Sequence, residues 1–448
     1  LHDPQWLASS ATGSTSFMAG TPDGRYLAYQ TTDSTLVSPS APLVSAALVV
    51  RDTLTGTVEV EWTAPLNDTS ATTILSADLS DDGRFMTLVT GSQLDPQRPT
   101  NAMAHLYVLD RWTDTATLVT RRADRTAGSI SGPHTPSQVQ IDASGRYVLF
   151  SSGALDLIGP GTGYGWTQLY RWDRLTDDIV LVSGAPGVTP NGFVLGTPRL
   201  SADGQTVVFN TTSTNLISTG PGAGNNGSYV ADLSAGTLTP FITAGGQHFS
   251  ATDALLSADG SRVVFTGAAE SGVFGGPSGQ VYLLDTSTME VTLVSRSATS
   301  ATTGANGVSE LAGFSADGSV VAFTSAATNA IAGQVDANWG HDVFVRDLDT
   351  GTTRLLSRSA GSATATASDG VARDVRLSND GTYATWHSEA HDTPAGPPTA
   401  AQIPVFAAEV ATGTMRRLNR DTTPLWSVPI FDPVLIADGG RIGVVGSS

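Results

Sequence analysis

Short apolar runs rich in Val, Leu, Phe and Tyr recur along this chain between clusters of Gly, Ser, Thr and Asp. That is the pattern of strands separated by tight turns, and no helical period of useful length interrupts it. Eight of the runs share one form: TPDGRYLAY, LSDDGRFMTLV, IDASGRYVLF, LSADGQTVVF, LSADGSRVVF, FSADGSVVAF, LSNDGTYATW and LIADGGRIGVV. Each reads as the end of an apolar strand, a turn with Asp, Ser or Asn before Gly, and a β-branched or aromatic strand. The glycine supplies the positive φ that such a hairpin turn needs. The eight anchors are Gly24, Gly83, Gly145, Gly204, Gly260, Gly318, Gly381 and Gly439, at gaps of 59, 62, 59, 56, 58, 63 and 58 residues.

A second hairpin follows each of the first seven motifs: LVVRDTLTG, LYVLDRWTD, LYRWDRLTD, SYVADLSAG, VYLLDTSTM, VFVRDLDTG and VFAAEVATG, each leading into a short strand. The acids that open its turn are Asp52, Asp110, Asp173, Asp232, Asp285, Asp347 and Glu409. They are expected to cap their own turns through nearby backbone N–H groups, Glu409 less well because its side chain is longer. Each unit therefore has four antiparallel strands, a to d, which is the size of one propeller blade. The predicted fold is all-β: an eight-bladed β-propeller occupying residues 1–448 as a single domain, with seven blades as the alternative. The eighth unit lacks its c and d strands. Residues 5–9, QWLAS, resemble the d strands elsewhere, so the N-terminal segment is expected to pair with the last blade and close the ring.

Composition narrows the partners more than the fold. The formal net charge is −18, and all 23 basic residues are Arg. A phosphate backbone would be repelled, so nucleic acid is excluded as a partner. No apolar run approaches the ~18 residues of a spanning helix, which predicts no membrane insertion. The chain has no Cys, removing disulfides, thiolate metal sites and Cys nucleophiles. Neither a G-x-S-x-G elbow nor a Lys-containing phosphate loop is present. The chain opens on Leu1, as expected of a processed or excised form.

The SADG-type turn followed by an apolar strand resembles the TolB-like (WD40-like) propeller repeat family over essentially the whole chain. The stretch DANWGHDVFVRDLDTGTTRLLSR, residues 336–358, is similar to long repeats of secreted bacterial surface proteins in that group. The resemblance implies an exported protein, at the cell surface, outside the cell or in the periplasm. It implies function poorly, because the fold hosts binding scaffolds, peptidase gates and a few carbohydrate-active enzymes. The expected role is a non-catalytic binding or scaffolding propeller that engages a protein or glycan through its long loops. The alternatives are a metal-assisted polysaccharide lyase or hydrolase and a structural segment of a larger surface protein.

Candidate chemistry is expected on the long b–c and d–a loops, since the a–b and c–d turns are tight. The d–a loops carry His134, Asn191, His248, Asn306, Glu310, Asp369, Arg373, Asp374 and Trp426. Of these, His134, His248, Asn306, Arg373, Asp374 and Trp426 are the candidate ligand-binding set, for a protein or polysaccharide. Carbohydrate lyases of the resembled group use histidines with a metal and a basic residue. His134, His248 and Arg373 are therefore the alternative catalytic set. One loop has metal-ligand character: Asp336, Asn338, Gly340 and Asp342, spaced D-x-N-x-G-x-D. Alternating oxygen ligands around a flexible Gly suit calcium, although the downstream Glu of an EF-hand is missing. Asp156, Asn215, Asn329 and Asp392 recur eleven residues after their anchor glycines and are expected to be structural. The Arg residues ending d strands, among them Arg121, Arg296 and Arg358, are expected to pair between blades, with a basic ligand-binding face as the alternative.

Overall fold

The computed structural model describes residues 15–418 except 33–43, 66–73, 93, 95–103, 125–134, 160–165, 186, 219–222, 225, 243–250, 268–276, 278, 337, 367–369 and 397–403. Seven four-stranded antiparallel sheets follow one another, each made of four consecutive strands. Blade 1 consists of Thr15–Gly20, Tyr26–Thr31, Val44–Asp52 and Val58–Pro65. Blade 2 consists of Ile74–Leu79, Phe85–Thr90, His105–Asp110 and Thr115–Leu118. Blade 3 consists of Ser137–Ile141, Tyr147–Ser152, Gln168–Asp173 and Asp178–Leu181. Blade 4 consists of Val194–Leu200, Thr206–Thr211, Gly227–Asp232 and Thr237–Pro240. Blade 5 consists of Ala251–Leu256, Arg262–Gly267, Gln280–Asp285 and Val291–Leu293. Blade 6 consists of Ser309–Phe314, Val320–Ser325, Asp342–Asp347 and Thr352–Leu355. Blade 7 consists of Arg373–Leu377, Tyr383–His387, Val405–Glu409 and Met415–Arg417.

These are the blades of a β-propeller. The eighth motif around Gly439 and the expected closing strand at residues 5–9 lie outside the described residues. The described strands fall into two compact units, one holding the blades up to Thr239 and the other those from Pro240 onward.

Within each unit the core lies between neighbouring blades. One cluster joins Phe85, Val89 and Val108 of blade 2 to Ile141, Phe150 and Trp172 of blade 3. Another joins Val264 and Val281 of blade 5 to Phe323 and Phe344 of blade 6. This explains why b strands such as Phe85–Thr90 and Tyr147–Ser152 are buried at every position. The two middle strands of a stacked sheet are covered on both faces and need no polar alternation. The outer d strands keep it, as in Asp178–Leu181.

The repeat motif is a hydrogen-bonded device. In blade 2 the Ser80 hydroxyl donates to Asp82 (2.7 Å) and accepts from the Phe85 amide (2.9 Å), while Asp82 accepts from the Arg84 amide (2.9 Å). The same triangle recurs at Ser201–Asp203 and Ser378–Asp380. The second residue of the turn ties blades together through backbone. Asp81 N donates to Ala143 O (3.1 Å), and Ala143 N donates to Ala202 O (2.9 Å). Ala258, Ala316 and Asn379 repeat this chain in the other unit. The acids that open the c–d turns cap them as expected: Asp52 accepts from the Leu54 and Thr55 amides, and Asp285 from those of Ser287 and Thr288.

Candidate functional site

Each blade sends its tight a–b and c–d turns to one end and its long b–c and d–a loops to the other. In blade 6 the two long loops, 326–341 and 356–372, zip together. Val335 pairs with Ala365 in a parallel bridge. The Val335 amide donates to Thr364 O, the Thr366 amide returns to Val335 O, and the Ala372 amide donates to His341 O, each at 3.0 Å. The D-x-N-x-G-x-D segment folds beneath this zipper. Asp336 Oδ1 accepts from the amides of Asn338 (3.0 Å) and Trp339 (2.9 Å). Asn338 Oδ1 accepts from the Gly340 amide, and its Nδ2 donates to Gly370 O, both at 2.9 Å.

Asp342 opens the c strand with only 1% of its surface exposed. Its Oδ1 accepts from the Ser357 hydroxyl at 2.9 Å. The second oxygen of each acid, Asp336 Oδ2 and Asp342 Oδ2, is shielded from solvent and has no hydrogen-bond partner. Loss of hydration, with the charge of Asp336 adding to it, pushes the Asp342 carboxyl up to about 7, against the hydrogen bond from Ser357. The cause is general: a carboxylate removed from water favours its neutral form unless a positive partner is supplied. Among the described residues no group of three or more His, Cys, Asp and Glu converges. The donor set here is two carboxylates and an amide, which suits an oxygen-preferring cation rather than zinc.

The same position in other blades shows what is unusual. Gln168 opens the c strand of blade 3; its Oε1 accepts from Ser183 (2.7 Å) and its Nε2 donates to Gly192 O (2.7 Å). Gln280 does the same in blade 5 with Ser295 (2.7 Å) and Gly307 O (2.9 Å). His105 meets Thr120 in blade 2 at 3.1 Å. Each is a buried side chain joined to a hydroxyl at the end of the d strand, and both Gln residues also supply a donor. Asp342 keeps the hydroxyl and replaces the donor with an acceptor.

The other expected site residues that are described serve their own loops and strands. His134, His248, Trp426 and Asp369 lie outside the described residues. The side chain of Asn306 is engaged by its own surroundings: Nδ2 donates to Thr328 Oγ1 and Oδ1 accepts from the Thr328 amide, both at 2.8 Å. Asn191 makes the same latch with Thr214. Asn215 and Asn329 accept from the amides of Asn191 and Asn306 at 3.1 and 2.8 Å. Their recurrence after the anchor glycines thus reflects loop-to-loop latching. Asp156 and Asp392 serve the neighbouring blade through their backbone carbonyls, which accept from Ala123 and Ala360. Arg373 and Asp374 are both exposed. Asp374 adopts φ 51° at a bulge in its strand and meets Nδ1 of the buried His387 at 3.2 Å. Arg121 donates to Asp177 (2.6 Å) and Arg358 to Gly413 O (3.0 Å) in the next blade, so these two arginines serve blade-to-blade contacts.

One feature escaped the sequence reading. Trp166, on the b–c loop of blade 3, stacks over Phe193 on the d–a loop, with centroids 6.3 Å apart and an interplanar angle of 25°. The two rings are 53% and 38% exposed. The long loops of blade 6 likewise expose Trp339, at 82%, and Val371, at 41%. The available signal was an aromatic in a Gly-rich loop, GPGTGYGW, with no strand partner to bury it.

Neither a family model nor a curated protein matches the chain. Solved structures do match it at the level of fold. One is an oligogalacturonate lyase in complex with manganese, at 14% identity and TM-score 0.44, covering 84% of this chain and 86% of that one. TolB from Acinetobacter baumannii matches at 12% identity and TM-score 0.34, covering 92% of this chain and 65% of TolB. The β-propeller domain of the Trilobed protease from Pyrococcus furiosus matches at 11% identity and TM-score 0.44, covering 92% and 99%. The likeness is to β-propellers, TolB among them. It extends to the fold and to nothing finer.

Proposed function

We propose that this is a non-catalytic binding propeller of an exported bacterial protein, holding a polysaccharide on its long loops. The observation that carries the reading is the stacked, half-exposed pair Trp166 and Phe193. Rigid aromatic faces left in water cost apolar hydration that a ligand recovers, at little conformational entropy. A sugar ring presents a flat array of C–H groups to such a face. The repeat's resemblance to secreted bacterial surface proteins is the ground for placing it outside the cytoplasm. The rival reading, a metal-assisted lyase or hydrolase using His134, His248 and Arg373, requires titratable groups converging on one substrate atom.

A panel of neutral and acidic polysaccharides tests both readings. Binding is expected with no new reducing ends and no unsaturated product, and Trp166→Ala is expected to weaken it by about 30-fold, as a hot-spot aromatic does. Turnover abolished by His134→Ala or His248→Ala would overturn the binding assignment. A protein that binds no member of the panel, or binds equally well without Trp166, sinks the polysaccharide reading.

A further inference from the structure

Two acid oxygens of blade 6, on Asp336 and Asp342, are shielded from solvent without a hydrogen-bond partner. At the matching position of blades 3 and 5 a glutamine turns its Nε2 donor to a loop carbonyl, Gly192 O or Gly307 O. In blade 6 the corresponding carbonyl-rich loop is already served, because Asn338 Nδ2 donates to Gly370 O. Asp342 then keeps one oxygen on Ser357 and leaves Oδ2 without a partner, and Asp336 Oδ2 is in the same state. Anionic oxygens shielded from water are costly unless something charged or donating reaches them. We propose that Asp336 Oδ2 and Asp342 Oδ2 bind a calcium-type divalent cation beneath the zipped loops of blade 6, with water completing an oxygen shell.

Occupancy has a structural consequence. The amides of Asn338 and Trp339 hang on Asp336 Oδ1, so an ion on the other oxygen fixes the loop that displays the exposed Trp339 indole. With two carboxylates and few further protein ligands, affinity belongs in the range of about 10⁻⁴–10⁻³ M typical of extracellular calcium modules.

The test uses the full chain, stripped with EDTA and desalted, then titrated with calcium chloride by equilibrium dialysis, calorimetry and indole fluorescence. Wild type is expected to bind one more calcium than Asp342→Asn and to melt several degrees higher in about 10 mM calcium. The Asn variant is expected to fold, because a neutral amide of the same shape removes the unmatched buried charge. Its melting temperature in EDTA should match or exceed that of wild type and should not respond to calcium. Asp336→Asn, altered on the loop rather than in the core, is the second variant and is expected to lose the same ion. Trp339→Phe should remove the fluorescence change and leave the stoichiometry unaltered. Equal stoichiometry in wild type and both variants would overturn the proposal. So would the absence of any calcium-dependent binding or melting shift at neutral pH, the result expected if the two carboxylates merely share a proton.

Discussion

Asp78 illustrates how one residue can act against the general trend of this acidic chain. It lies at the end of the first strand of blade 2, where Oδ1 accepts from the Leu79 amide (3.0 Å) and Oδ2 from the Ile141 amide of blade 3 (2.9 Å). Burial, with a smaller push from Asp81, raises its carboxyl to about 6 despite those two bonds. The turn-capping acids move the other way: hydrogen bonds from backbone and hydroxyl donors hold Asp232 and Asp285 below the ordinary carboxylate range. Their contribution is present at neutral pH and lost on acidification. For Asp78 the sign is reversed. Its native form holds the proton more tightly than the unfolded chain does, so its contribution is full below about pH 4 and is lost as pH rises through about 6. The difference between those limits is on the order of 3 kcal/mol. Urea denaturation of wild type and Asp78→Asn should therefore show the wild-type advantage growing by roughly that amount between about pH 7.5 and pH 4. A difference that stays flat across this range rules out the assignment.

Among the elements, the anchor turn combines backbone conformation with blade packing. Gly145 has φ +71°, and a Cβ placed there would lie 2.2 Å from a ring carbon of Phe85 in the preceding blade. Gly83 against Tyr26 and Gly204 against Tyr147 repeat the arrangement. The glycine is thus required twice, for the turn and for the ring that packs on it. Gly56, in the c–d turn of blade 1, has φ +75° with nothing within 4 Å of such a Cβ. It separates the two effects. Gly56→Ala is expected to cost about 1 kcal/mol from the left-handed backbone alone, and Gly145→Ala about 3 kcal/mol as ring displacement is added. Equal losses in chemical denaturation would show that the aromatic contact contributes nothing.

At the scale of the whole molecule, stability rests on blade-to-blade contacts repeated through each unit. Backbone bonds link the second residues of successive turns, and side chains reinforce them: Gln140 Oε1 accepts from Leu200 N (3.0 Å), and Thr266 Oγ1 accepts from Leu311 N (2.9 Å). A blade at the end of such a series leaves an apolar face and a strand edge without a neighbour. The similarity of residues 5–9 to d strands makes the N-terminal segment the natural cover for that edge. Deleting residues 1–9 is expected to lower the melting temperature and to promote self-association in light scattering. Unchanged melting and a monodisperse shortened chain would count against closure by this segment.

The sequence by itself determined the strands, their order and the blades. Turn chemistry and short apolar runs act over a few residues, and an eightfold repetition of the motif averages out local ambiguity. It also determined the capping role of Asp52 and its counterparts, since an Asx cap involves only neighbours in the chain. The site was legible in part. The D-x-N-x-G-x-D spacing marked Asp336, Asn338 and Asp342, yet nothing in the spacing shows that Asp342 is buried and that two of the acid oxygens lack partners. Those facts depend on the 356–372 loop folding over the 326–341 loop, a contact between distant segments. Asn306 looked equally available as a ligand group and is instead closed onto Thr328, while Trp166 and Phe193 were brought together across 27 residues by the pairing of two loops. Local propensity writes strands and turns into the chain. Which polar groups find partners, and which are left without one, is decided only when loops from different parts of a blade meet.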